Sequence, residues 1–184
     1  MRYQPKAGTE TNDRVFTPPG LARFVFDYFN PKGFGLDPAM GDGAFYRLMQ
    51  DGQRDWCEVD KGRDFFDYSR KVDYIFTNPP WSLIRKFVHH GMDIADDVYY
   101  LMTVNHAFTK ARVRDVYSRG FYIADILCVP TPKEFPQSGF QLGVVHWKRG
   151  DGSTNIRYGA ELYNTHVTEA LAHGLQVMQE GGEE

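Results

Sequence analysis

Short apolar runs alternate along this chain with segments of helical or turn character, and that alternation limits the possible folds more than any other feature. The runs lie at 35–37, 56–59, 72–77, 98–104, 122–129 and 142–147. Helical patterns fill 20–29, 44–51, 82–92 and 109–118. A helix between two strands returns the chain to the edge where the next strand starts, so such strands pair in parallel and their helices cover both faces of the sheet. The last two runs are different. Only 130–140 lies between them, which predicts an antiparallel hairpin at the C-terminal edge. The expected class is therefore α/β, with a mostly parallel open sheet whose ligands bind beyond the carboxyl ends of the strands.

A length of 184 residues suits one compact domain. The expected organisation is a flexible arm over 1–13, a single domain over 14–166, and a C-terminal helix with an acidic tail over 167–184. Within 20–29 the apolar residues Leu21, Phe24, Val25, Tyr28 and Phe29 recur at helical spacing, and Pro18 and Pro19 stand where a helix tolerates proline. The net charge of −3 argues against an extended basic surface. Cys57 and Cys128 both sit in apolar runs and read as buried free thiols rather than a disulfide or a metal pair. No apolar stretch reaches the roughly 18 residues of a membrane span. A soluble, cytoplasmic protein is the expectation.

Chemistry concentrates at three strand ends. The run 72–77 finishes in Asn78-Pro79-Pro80-Trp81. The prolines remove backbone donors and leave carbonyls, so Asn78 and Pro79 can offer acceptors to an amino group on a planar ring. Trp81 supplies a face on which that ring can stack. Strand-ending turn punctuation explains the same four residues equally well when they are taken alone. The first run leads into Asp37-Pro38-Ala39-Met40-Gly41-Asp42-Gly43-Ala44-Phe45, where Gly41 and Gly43 allow a tight turn and close approach of backbone to a ligand. The second run ends in Glu58-Val59-Asp60, which places carboxylates where ribose hydroxyls are bound in nucleotide folds. Asp64-Phe65-Phe66 then sets an acceptor beside two rings.

Taken in order, Phe16-Thr17-Pro18-Pro19, the Asp37–Phe45 loop, Glu58-Val59-Asp60, Asp64-Phe65 and Asn78-Pro79-Pro80-Trp81 resemble the motifs of S-adenosylmethionine-dependent amino-methyltransferases. The likeness is to the adenine-N6 DNA methyltransferases in which a Thr-Pro-Pro segment precedes the Gly-rich loop. It runs from Phe16 to about Trp147. It implies a Rossmann-like methyltransferase fold and S-adenosylmethionine as cofactor. Thr17 and Pro18 would meet the methionine portion, and Asp37, Pro38, Ala39, Gly41, Gly43 and Phe45 would shape the pocket. Glu58 or Asp60 would take the ribose, Asp64 and Phe65 the adenine ring. Asn78, Pro79, Pro80 and Trp81 would hold the target amino group, with Asn78 also facing the cofactor. No metal is implied.

Two departures from that pattern carry expectations of their own. The interval from Glu58 to Asp64 has no room for a helix and strand, so the sheet should be trimmed there. No target-recognition domain follows Trp147, so specificity would come from loops, from a partner subunit or from a homodimer. Lys133, Phe135 and Phe140 in the 130–140 loop are candidates for touching DNA or filling the gap left by a flipped base. Lys110, Arg112 and Arg114 are candidates for phosphate contact along one helix. His89 and His90 are adjacent and so point to different helix faces, which argues against a metal site. Trp81 and the early Thr-Pro-Pro segment favour adenine in DNA. RNA adenine or guanine, a protein glutamine amide, and a non-catalytic binding subunit stay open.

Overall fold

The computed structural model describes residues 15–159. Three helices, α1 (Pro19–Phe29), α2 (Ile84–Ile94) and α3 (Lys110–Ser118), flank one seven-stranded sheet. Its strands are β1 (Gly35–Asp37), β2 (Arg54–Trp56), β3 (Tyr74–Thr77), β4 (Asp97–Thr103), β5 (Phe121–Val129), β6 (Leu142–Arg149) and β7 (Asn155–Tyr158). They lie in the order β2-β1-β3-β4-β6-β5-β7. Every neighbouring pair is parallel except β6, which runs antiparallel to both β4 and β5. The expected mostly parallel α/β sheet with an antiparallel hairpin is therefore present. The expected arm over 1–13 and the C-terminal helix and tail over 167–184 lie outside the described residues.

The two-residue alternation of the strands divides the core between the faces. Tyr74, Phe76, Tyr99 and Leu101 point to the side covered by α1, where they pack with Leu21, Ala22, Val25 and Phe26. Ile75, Val98, Tyr100 and Met102 point the other way, against Phe87, Val88 and Met92 of α2 and Val116 of α3. Proline at the start of α1 costs no hydrogen bond, since the first N–H groups of a helix have no partner within it. Asn30 closes that helix in the left-handed conformation at φ 43°, its N–H returning to Phe26 O.

Besides the second run, expected over 56–59 but forming β2 earlier at Arg54–Trp56, three details depart from the pattern read along the chain. The helix expected over 44–51 shrinks to a 3₁₀ turn, Tyr46–Leu48. Arg54 explains this: its Nη1 donates to Tyr46 O at 2.9 Å and Met49 O at 3.2 Å, which occupies carbonyls that a continuing helix would need. Second, β2 and β3 are joined only by two 3₁₀ turns, Val59–Lys61 and Phe65–Asp67, so β2 forms one edge of the sheet. The trimming expected from the short interval is real. Third, β7 adds a parallel strand outside the hairpin. All four of its residues are exposed, and its polar–apolar alternation, Asn155-Ile156-Arg157-Tyr158, spans only four positions and was not among the runs read along the chain.

Cys57 and Cys128 are buried free thiols, and burial pushes Cys57 up to about 11. His89 Nε2 lies 2.9 Å from Asp115 Oδ2, and His90 Nε2 lies 2.9 Å from Tyr68 O. Both imidazoles tie α2 to its neighbours. Among the described residues no group of His, Cys, Asp and Glu is placed to hold a metal ion, and no helix is long and apolar enough to cross a membrane.

Candidate active site

Parallel strands leave their carboxyl ends on one edge, and the loops after β1, β2 and β3 meet there. Asp37, the last residue of β1, binds that edge together. It is 1% exposed, accepts from Thr77 Oγ1 at 2.8 Å and from Tyr46 N at 3.2 Å, and takes a further backbone donor from Ala39. One carboxyl group thus fastens the Gly-rich loop to the residue before Asn78. Burial outweighs these donors and raises its pKa from 3.8 to about 7.

The Gly-rich loop follows from two positive φ angles, 55° at Gly41 and 88° at Gly43, which side chains adopt only at a cost. Gly41 is also crowded, because a Cβ there would lie 3.0 Å from the Phe16 ring. On the other side its N–H donates to Glu58 Oε2 at 2.7 Å, and Lys61 Nζ donates to its carbonyl at 3.1 Å. Glu58 caps the turn Val59–Lys61, its Oε1 accepting from Asp60 N at 3.3 Å. Pro38 and Ala39 lie in the turn directly after β1, and the Met40 N–H reaches Cys57 O at 3.0 Å. Loop and carboxylate form one cradle between β1 and β2.

Asn78 follows β3 directly. Its Nδ2 donates to Val15 O at 3.0 Å, which fixes the amide plane and turns Oδ1 away from Val15. Pro79 is buried and Pro80 half-buried. Trp81 packs against both halves of the core, and its ring centroid lies 6.0 Å from that of Phe135. The indole Nε1 is buried and makes no hydrogen bond within the protein. Thr17, at 4% exposure, and Pro18 are buried directly before α1, and the Ala22 N–H bonds Pro18 O at 2.9 Å.

Several residues singled out in the sequence sit elsewhere than a ligand-facing role requires. Phe65 is 3% exposed and wedged against Phe87 and His90, with centroids at 4.9 and 4.6 Å. Asp64 caps the turn Phe65–Asp67, its Oδ1 accepting from Phe66 N, and thereby rolls Phe65 inward; Phe66 is the more open ring. Phe45 is likewise a core residue, 4.9 Å from the Phe76 ring. Arg112 corrects the picture of a basic helix stripe: it is 6% exposed, and its Nη1 reaches Ile84 O at 3.3 Å. Its position on α3 faces the core and α2. Phe135 is buried behind Trp81, whereas Phe140 is 56% exposed. Lys110, Arg114 and Lys133 are exposed.

The sequence reading gave no role to Val15, Phe16, Lys61 or Thr77. Phe16 belongs to the Phe16-Thr17-Pro18-Pro19 motif and Thr77 directly precedes Asn78, and those positions were the available signal. Val15 acts through a backbone carbonyl, which no residue type reveals.

No family model matches the sequence, and no curated relative matches it. Solved structures do. A Listeria monocytogenes protein assigned to the class I S-adenosylmethionine-dependent methyltransferases is 14% identical, with a TM-score of 0.61 over 93% of this chain and 75% of that one. A type I restriction-modification methyltransferase subunit from Streptococcus thermophilus is 12% identical, with a TM-score of 0.54 over 95% of this chain and 54% of that one. A Pyrococcus horikoshii protein assigned as an RNA methyltransferase is 14% identical, with a TM-score of 0.52 over 71% of this chain and 82% of that one. The chain spans about half the length of the restriction-modification subunit. The fold is that of the class I S-adenosylmethionine-dependent methyltransferases.

Proposed function

We propose that the chain transfers a methyl group from S-adenosylmethionine to the exocyclic N6 amino group of adenine in DNA. The observation that carries this reading is the pinned Asn78 amide at the end of β3, beside the Gly-rich cradle at the end of β1. When bound, S-adenosylmethionine supplies an electrophilic methyl group on a sulfonium. The residues present suit such a group. Gly41 and Gly43 bring bare backbone to the pocket, Glu58 presents a carboxylate to ribose hydroxyls, and Thr17 and Phe16 close the side next to α1. Asp64 stands beside the exposed Phe66 ring, which packs against Phe87 and His90 of α2.

The chain's own contribution is to present acceptors. Asn78 Oδ1 and the Pro79 carbonyl accept the two hydrogens of the target amino group, which localises its lone pair and stabilises the positive charge that grows on nitrogen during transfer. Trp81 holds the base plane, and Phe135 holds Trp81. An adenine in duplex DNA reaches these groups only after flipping out, at a cost of a few kcal/mol that stacking on Trp81 partly offsets. Lys110, Arg114, Lys133 and Phe140 are the exposed groups near that edge suited to backbone contact. Methyltransferase subunits of type I restriction-modification systems share the fold, which agrees with DNA as substrate and with specificity supplied by a partner subunit; a protein assigned as an RNA methyltransferase shares it as well, and the substrate assay below separates the two.

Incubation with labelled S-adenosylmethionine and DNA, structured RNA or release-factor protein tests the proposal. The expected outcome is label in DNA, recovered as N6-methyladenine. Label confined to RNA or protein would move the substrate. Binding of cofactor without transfer to any of the three would favour a non-catalytic subunit.

A further inference from the structure

Asn78 carries a contact that its acceptor oxygen does not explain. Its Nδ2 bonds Val15 O across 63 positions of sequence. Val15, Phe16 and Thr17 run into α1, and this short strap is held at both ends. Phe16 lies against Gly41 so closely that one added carbon would touch its ring, although the ring is 58% exposed. Thr17 is buried behind it. The strap therefore touches the Gly-rich cradle through Phe16 and the Asn-Pro-Pro-Trp turn through Val15.

We propose that Asn78 is a positioning residue for this strap as well as an acceptor for the target, its amide nitrogen acting as a latch on the Val15 carbonyl. The assignment of the acceptor rests on the methyl-transfer reading; the latch does not. The chemistry explains why an amide stands here. A carboxylate keeps the oxygen acceptors but has no hydrogen to give Val15 O, so two acceptors would face each other at hydrogen-bond distance. The amide satisfies both sides and, because Nδ2 is committed to the strap, Oδ1 has one orientation. Coupling of this kind is reciprocal. Whatever presses the strap onto the cradle also orients the acceptor, and an oriented acceptor holds the strap shut.

Asn78→Asp separates the two roles, and limited trypsin digestion of the full chain reads the latch directly. Cleavage after Arg14 reports release of the strap, and cleavage after Arg23, inside α1, reports general unfolding. The ratio of the two should rise about five-fold in both Asn78→Asp and Asn78→Ala, the effect of losing one hydrogen bond. A ratio equal to that of the unsubstituted chain in both variants overturns the latch. In the kinetic arm, Asn78→Asp should raise the KM for S-adenosylmethionine with a smaller change in kcat, whereas Asn78→Ala, which loses latch and acceptor together, should raise that KM and lower kcat as well. A raised cleavage ratio together with no cofactor binding by the unsubstituted chain in calorimetry would keep the latch and remove the methyl-transfer reading.

Discussion

At the amino ends of the strands an open cleft of about 630 Å³ is lined by charged residues, among them Lys71, Asp73, Asp96 and Arg149. Each of these is committed to a neighbour. Arg149 pairs with Asp96, donates to Met92 O at 2.9 Å and stacks over Phe121 at 4.4 Å. Asp73 takes the Phe34 N–H at 2.6 Å, and Lys71 donates to Asp93 O. At the carboxyl ends the hydrogen-bonding groups are held but not used up. Asn78 commits its nitrogen and leaves an oxygen. The volume of a depression does not mark a site; oriented hydrogen-bonding capacity does. The amino-end cleft is a structural seam, and the carboxyl-end cradle is where the proposed site lies.

Substitutions can break this contrast. The largest effect expected is at Asn78: its change to alanine should lower methyl transfer by about 10²- to 10³-fold, the usual loss when one transition-state partner is removed. Steady-state kinetics would show it, and an equal loss in Arg149→Ala would erase the distinction between the two edges. Next comes Phe135, buried behind Trp81. Its truncation to alanine should cost about 3–5 kcal/mol in urea unfolding and shift the tryptophan emission. An unaltered midpoint would show that the 130–140 loop does not support Trp81.

The third test runs along pH. Asp37 has a folded-state pKa raised from 3.8 to about 7, so between about pH 4 and 7 the folded chain holds a proton that the unfolded chain has lost. Stability from this group is full below about pH 4 and falls as pH rises through about 7. Asp115 acts in the opposite sense and in a different window. Hydrogen bonds from Arg85 and His89 lower it to about 2, so its contribution is present above about pH 4 and lost as pH falls towards 2. Chemical denaturation at several pH values should show a decline from about 4 to about 7 that Asp37→Asn removes. A slope surviving that substitution would place its origin elsewhere.

Smaller effects are expected at the surface. Arg149→Ala should lower stability by about 1–2 kcal/mol through its hydrogen bonds and leave turnover unchanged. Lys110→Ala and Arg114→Ala should each reduce the salt dependence of DNA binding by about one phosphate contact. Arg112→Met should leave that slope alone, because its guanidinium is bonded to Ile84 O inside the protein.

The strands and the large helices were legible because each has one apolar face at the correct period: β1 and the core of β3 through β6 coincide closely with the runs, and α1, α2 and α3 with the helical patterns. The elements that escaped carry that signal too briefly or have it overridden. β7 has no buried residue, and the helix pattern at 44–51 was overruled by Arg54, a residue outside it. Site residues divide in the same manner. Gly41 and Gly43 could be singled out because backbone freedom is a property of the residue itself. Arg112, Phe135 and Phe65 were candidates for contact with DNA or the cofactor, yet each is buried, packed on a carbonyl or a ring that a neighbouring element offers.

By itself, the sequence determined the periodicity of the elements, the parallel sheet with its hairpin, the trimmed interval after β2 and the residue types at three strand ends. These depend on side-chain spacing and backbone freedom, which are local quantities. Only the tertiary structure decided that Asp37 joins the Gly-rich loop to Thr77, that Phe16 lies over Gly41, and that Asn78 gives its nitrogen to Val15. Apart from the bond between Asp37 and Tyr46, these contacts link residues 25 to 63 positions apart. Their partners include a backbone carbonyl and a buried carboxyl, whose roles depend on where the chain returns rather than on the residues that surround them in sequence.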